Sequence, residues 1–195
     1  MVGHIDVSLV LAAHESDFRT RAGTRAINIR QAAAALDEVI IPPGGTLSFN
    51  RQVGPRLLER GYQMAPVIID DELEPGVGGG VCQVASTLFA AAIHGGLEIV
   101  SRRSHSRPSG YLPLGLDATV LDGEVDLVLK NPYATPLIVH TSFPQHYRLR
   151  VELLGRLPKA RYTHSYRVTK RYDTYRRVVT RPELPASFSE RKQKG

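Results

Sequence analysis

The 195-residue chain holds one cysteine, Cys82, set directly after Gly78-Gly79-Gly80-Val81 and at the head of a run free of Pro and Gly. A thiol at a helix start meets unpaired backbone N–H groups and the positive end of the macrodipole, both of which favour the thiolate. A thiolate nucleophile needs a base, and the base needs an orienting group. His105 lies 23 residues downstream within Arg102-Arg103-Ser104-His105-Ser106, and Asp117 follows the Pro- and Gly-punctuated stretch Tyr111–Gly115. The backbone around Cys82 and Gln83 is placed to stabilise an oxyanion, with Gln83 assisting. Gly78, Gly79 and Gly80 permit positive φ and close approach of a substrate. The catalytic candidates are therefore Cys82, His105, Asp117 and Gln83.

Each residue also has a non-catalytic alternative. Cys82 would be a small buried hydrophobe, His105 a surface histidine in a basic loop, and Asp117 a turn or strand cap. Other chemistries fit less well. A phosphate cradle would place Lys-Ser or Lys-Thr after the glycines. A zinc site would need several close ligands, whereas His4, His14, His94, His140, His146 and His164 are scattered. No metal or cofactor is expected, and a lone cysteine leaves no intramolecular disulfide to form.

The elements that must position these groups follow from periodicity. Val81 to His94 places Val81, Ala85, Leu88 and Ala92 at i, i+4, i+7 and i+11, which predicts an amphipathic helix stopped by Gly95-Gly96. A first helix is read from Ala26 to Ile40, ended by Pro42-Pro43-Gly44-Gly45. Strands are read at 7–13, 46–50, 64–69, 97–100, 124–129, 137–141 and 147–154, with a helical turn at 56–61 and an exposed acidic turn at 70–75. The expected fold is α+β, an antiparallel sheet packed against a central helix that begins at the glycine loop and Cys82.

Hydrophobic residues make up 42% of the chain, enough for one sizeable core. The net charge of +6 is uneven: residues 156–195 carry 12 Lys or Arg against 3 acids. Arg167-Val168-Thr169-Lys170-Arg171-Tyr172 interleaves bases with an aromatic, a pattern compatible with an anionic polymer, but a solvated strand pair and a disordered end are the reading preferred, and no nucleic acid is expected. No run approaches the roughly 18 apolar residues of a membrane span, and the first residues lack the pattern of a signal peptide.

Phe49-Asn50 with Val53-Gly54, Gly61-Tyr62, the segment Gly78 to Phe89, His105-Ser106 and Gly115-Leu116-Asp117-Ala118-Thr119-Val120 together resemble the VanW family over about Arg25 to Val151. The Asp126 and Asn131 region fits its closing strand. The resemblance implies a bacterial envelope protein linked to vancomycin-type glycopeptide resistance, acting on or binding peptidoglycan or its peptide stems, in an extracytoplasmic setting. It extends the site to substrate-binding positions Gly78, Gly79, Gly80, Ser86, Ser106 and Asn50, with Tyr111 beside them. The order Cys, His, Asp is also similar to that of transglutaminase- and papain-type cysteine enzymes. Two functions are expected to compete: a cysteine-dependent acyl transferase or hydrolase, and a non-catalytic module that binds peptidoglycan or a partner. The expected division is an N-terminal strand and loop (1–24), the VanW-like domain (25–155) and a basic extension (156–195). The anchor usual in the family is not read here, which predicts either an excised domain of a longer protein or a cytoplasmic relative.

Overall fold

The computed structural model describes residues 9–19, 23–69, 72–106 and 108–155. All of these lie within Met1–Arg156, one of the two units into which the chain divides. The basic extension expected at 156–195 lies outside the described residues, as does the start of the strand expected at 7–13.

β1 (Val10–Asp17) is followed by α1 (Thr24–Leu36), which buries Ile29, Ala32, Ala33 and Leu36 at helical spacing. The helix stops earlier than the reading to Ile40. Asp37 is extended and Glu38 has a φ of 60°, so Val39 and Ile40 pass into β2 (Val39–Ile41). The stop is fixed from outside: Asp37 Oδ1 accepts the Thr141 N–H at 2.7 Å, and Thr141 Oγ1 donates to the Ala33 carbonyl at 3.1 Å.

β3 (Thr46–Ser48) is likewise shorter than expected. The Ser48 hydroxyl accepts the Arg51 N–H at 3.2 Å and caps α2 (Phe49–Val53), drawing Phe49 and Asn50 into a helix. A 3₁₀ turn, Leu58–Arg60, closes at a left-handed Gly61. β4 (Met64–Ile69) and β5 (Glu72–Val77) form an antiparallel hairpin. Of the turn expected at 70–75, Asp70 and Asp71 lie outside the described residues, while 72–75 belong to β5.

α3 runs Val81–His94, as the spacing predicts, and is followed by β6 (Glu98–Ser101), β7 (Val128–Lys130), β8 (Leu137–Gln145) and β9 (Arg148–Gly155). β8 continues through Phe143-Pro144 with a register irregularity between Ser142 and Gln145, the form in which a strand accommodates a residue without an N–H. In β9 Leu149, Val151 and Leu153 are buried and the residues between them are not, the period-2 signature of a sheet with one covered face.

Among the described residues the fold is α+β with antiparallel pairing, but three sheets stand where one was expected. They are a four-stranded sheet β1-β9-β8-β2, a three-stranded sheet β3-β7-β6 and the β4-β5 hairpin. α3 packs against β1 and β9, against α1 and against β6. It is not amphipathic in effect: of its 14 residues only Cys82, Ile93 and His94 escape full burial. Its Leu88 and Phe89 share one continuous core with Phe49, Leu127 and Leu129. Among the described residues no helix is long and apolar enough to cross a membrane.

Candidate active site

α3 can begin where it does because the glycines before it have no Cβ. Gly80 sits at a φ of 111°, and a Cβ there would meet the Arg25 stem at 2.9 Å and Ile29 at 3.0 Å. A Cβ on Gly79 would lie 2.6 Å from the Pro66 carbonyl oxygen and 2.7 Å from that of Ala65, in the backbone of β4. The close approach that Gly79 permits is thus to the protein's own strand. Buried Asn28 holds the same corner, its Nδ2 donating to the carbonyls of Gln63 and Gly79, each at 2.9 Å.

Cys82 is the second residue of α3 and is half-buried. Its thiol donates to the Val120 carbonyl oxygen at 3.4 Å and shares a cavity wall with the His105 ring, close enough for the two to be coupled electrostatically. The loop after β6 brings His105 to this point. The other end of the ring is fixed: Nδ1 is 2.8 Å from Asp117 Oδ2, which also accepts the His105 main-chain N–H at 2.7 Å. That leaves Nε2 as the nitrogen available to Cys82. Asp117 is held in turn by Arg102, whose Nη2 donates to Oδ1 at 3.0 Å and whose Nε donates to the Asp117 carbonyl at 2.7 Å. The Arg102 guanidinium rests over Phe89 of α3, 4.9 Å from the ring centre.

These contacts set the charges. Burial disfavours charge on His105, but its hydrogen bonds to Asp117 and Cys82 outweigh burial and push it up to about 9. Burial disfavours the Cys82 thiolate too, yet the hydrogen bond and charge of His105, with a contribution from Arg56, carry the thiol below its usual range. Asp117 is also lowered, burial being outweighed by the side-chain and backbone hydrogen bonds of His105 and by the Arg102 charge. All three shifts run in the direction of a thiolate–imidazolium pair beside an ionised carboxylate.

A cavity of about 610 Å³ opens beside the sulfur, within the range of small-ligand sites. Gly78, Gly79, Gly80, Cys82, His105 and Tyr111 line it. The Tyr111 ring stands edge-on to His105 with centroids 6.4 Å apart, and burial raises its hydroxyl pKa.

Four other candidates do not face this space. Gln83 is 1% exposed and its carboxamide is spent in the wall, accepting from Arg25 Nη1 at 3.1 Å and donating to Ser16 Oγ at 3.0 Å and the Asp17 carbonyl at 3.1 Å. Its backbone N–H donates to the Gly80 carbonyl at 3.0 Å, so neither donor of Gln83 is left for an oxyanion. The Cys82 N–H, by contrast, has no acceptor among the described residues. Ser86 is fully buried and ties α3 to the Asp117 segment, its Oγ accepting the Ala118 N–H at 2.9 Å. Asn50 uses its Nδ2 on the carbonyls of Leu121 and Val125 and its Oδ1 on Arg56. Ser106 is exposed and lies off the cavity wall.

Sequence reading missed Arg25, Arg56, Thr119 and Val120, which line the cavity, and Arg102, which holds Asp117. Arg102 lay within the motif around His105, and Thr119 and Val120 directly after Asp117, so all three carried a local signal; Arg25 and Arg56 are brought in from separate segments by the tertiary fold. Among the described residues no group of three or more His, Cys, Asp or Glu is disposed to hold a metal ion.

No solved structure matches the chain, and the expected likeness to transglutaminase- and papain-type folds finds no support. Two curated relatives do match. The chain is similar to the uncharacterized protein YoaR of Bacillus subtilis, 42% identical over 139 residues that cover 71% of this chain and 46% of the relative. It is similar also to the vancomycin B-type resistance protein VanW of Enterococcus faecalis, 31% identical over 112 residues, 55% of this chain and 41% of that protein. The chain thus spans less than half the length of either. Residues 24–154, which contain α1, the glycine loop, Cys82, His105 and Asp117, match the family described as VanW like protein, and the chain belongs to the VanW family.

Proposed function

We propose that residues 25–155 form a cysteine-dependent acyl-transfer or hydrolytic domain acting on peptides of the cell wall, in a protein associated with glycopeptide resistance. The observation that carries the reading is Cys82 and His105 side by side on one cavity, with the His105 ring tied to Asp117 at 2.8 Å. The name of the Enterococcus faecalis relative supplies the resistance context.

In the proposed reaction the Cys82 sulfur adds to a substrate carbonyl carbon, and the developing oxyanion meets the unpaired Cys82 N–H. The carbon–nitrogen bond then breaks. The leaving amine takes the proton from His105 Nε2, and a thioester to Cys82 remains. Water or a second amine attacks the thioester while His105 accepts the nucleophile's proton; the bond to sulfur breaks, and the thiolate–imidazolium pair is restored. Asp117 holds the ring through both steps.

Alkylation of the purified protein by iodoacetamide, followed by mass spectrometry across pH, tests the reading. Cys82 is expected to react faster than a free thiol at neutral pH, with its rate profile displaced to lower pH, and His105→Ala should move that profile back up. An ordinary rate unaffected by His105→Ala would overturn it and favour a non-catalytic module that binds peptidoglycan or a partner.

A further inference from the structure

The cavity beside Cys82 is not electrically neutral in its lining. Arg56 comes from the segment between α2 and the 3₁₀ turn, and its side chain is only 9% exposed. A guanidinium has five N–H donors in a rigid fork. In Arg56 one is given to Asn50 Oδ1 at 2.5 Å and one to Asp122 Oδ1 at 3.4 Å; among the described residues the remaining three have no acceptor. Asp122 is a loose partner, its side chain 47% exposed at the cavity mouth. The Phe49 ring, 5.7 Å from the guanidinium carbon, supports it from below, and Asn50 is itself fixed to the carbonyls of Leu121 and Val125. Arg56 is thus held rigidly, buried, and left with donors to spare. The Thr119 hydroxyl on the same wall is buried with no hydrogen-bond partner among the described residues. Leaving buried donors unmade is costly, so both groups point to an acceptor supplied by a ligand.

We propose that Arg56 anchors a free carboxylate, with Thr119 as a second donor, so that the site takes peptide acids whose reacting bond lies close to a C-terminal carboxylate. A planar fork matches a carboxylate bidentately. The cavity confines the choice further, because carboxylate and reacting carbonyl must fit together in about 610 Å³ beside Cys82. The Arg25 guanidinium, which lines the same space over the Tyr111 ring at 5.8 Å, adds positive potential. Burial makes the Arg56 charge costly, and a bound carboxylate offsets that cost. This inference rests on the proposed nucleophile only for its orientation of the substrate, and it can fail separately.

The test compares iodoacetate with iodoacetamide, two reagents alike except for carboxylate against carboxamide, on Cys82 of the full chain. The ratio of the two rates cancels changes in intrinsic thiol reactivity. Iodoacetate is expected to be preferred relative to free cysteine, and Arg56→Gln should lower the ratio by about tenfold, the scale of one charge-assisted hydrogen bond. A ratio unmoved by a folded Arg56→Gln variant overturns the proposal. If that variant does not fold, the wild-type protein decides at about pH 10, above the His105 value of about 9, where the imidazolium no longer attracts the anion. A surviving preference supports an arginine anchor and its loss overturns it. An ordinary iodoacetamide rate would remove the catalytic reading while the ratio still decides the anchor.

Discussion

At the residue scale, the arrangement around Cys82 makes Asp117 the group whose loss is most informative. Asp117 Oδ2 takes both the Nδ1 and the main-chain N–H of His105, so it fixes the tautomer, the ring plane and the loop together. Asp117→Asn preserves the volume but replaces an acceptor with an amide and removes the charge that raises His105. Turnover of any substrate should fall by about 10²- to 10⁴-fold, and the pH profile of Cys82 alkylation should move upward. A profile identical to wild type would show that Asp117 is only a structural cap. The alkaline limb of wild-type activity is expected near the His105 value of about 9, where the imidazolium is lost. That these three residues come together was readable because each is a chemically distinctive type near glycine or proline punctuation. Gln83 was misread because its adjacency to Cys82 says nothing of direction: on a helix the next residue points about 100° away, here into Ser16 and Asp17.

At the scale of elements, α3 was legible to the residue because a glycine triplet and a glycine pair bracket an unbroken run. Where local pattern and tertiary contact disagreed, contact prevailed. Val39 and Ile40 continue the periodicity of α1, but Asp37 and Ala33 are claimed by Thr141 of β8, and the two residues pair with Val139 and Ile138 instead. Phe49 and Asn50 read as strand until the Ser48 cap and the two acceptors of Asp126 are known, one taking the Ser48 hydroxyl and the other the Asn50 N–H. Three sheets in place of one follow from pairings between strands far apart in sequence, such as β1 with β9, which no window of the chain contains. The junction of β4 with the glycine loop gives a sharp prediction. Gly79→Ala would drive a Cβ into the Pro66 and Ala65 carbonyls, which cannot rotate away, and should destabilise the fold by about 1–3 kcal/mol or more, measured by urea unfolding. A loss below about 0.5 kcal/mol would mean that the strand and loop are separable.

At the scale of the whole molecule, half-buried histidines pull stability in opposite directions with pH. The rings of His14 of β1 and His94 of α3 meet at a tilt of 44° with centroids 5.3 Å apart. Burial lowers both, and the His94 charge lowers His14 further, so the fold prefers them neutral. Their contribution to stability declines as pH falls below the ordinary 6.5 and through their lowered values. His105 has the opposite sign: its contribution is complete below 6.5 and is lost as pH rises through about 9. His94→Gln should therefore flatten the fall in Tm between about pH 7 and pH 5 while leaving the alkaline side unchanged. An unaltered acid slope would show that the pair opens before it titrates.

The burial of α3 on nearly every side has a consequence for how such a protein diversifies. The helix that presents Cys82 is also the centre of the core, so there is little surface on it through which substitutions could retune specificity without loosening the whole. Variation has room instead on the cavity's outer wall, in the β4–β5 hairpin and in the segment around Leu121 and Asp122. A change at Cys82 is then a change to the core itself, whereas the rim of the cavity can be altered while the core stays as it is.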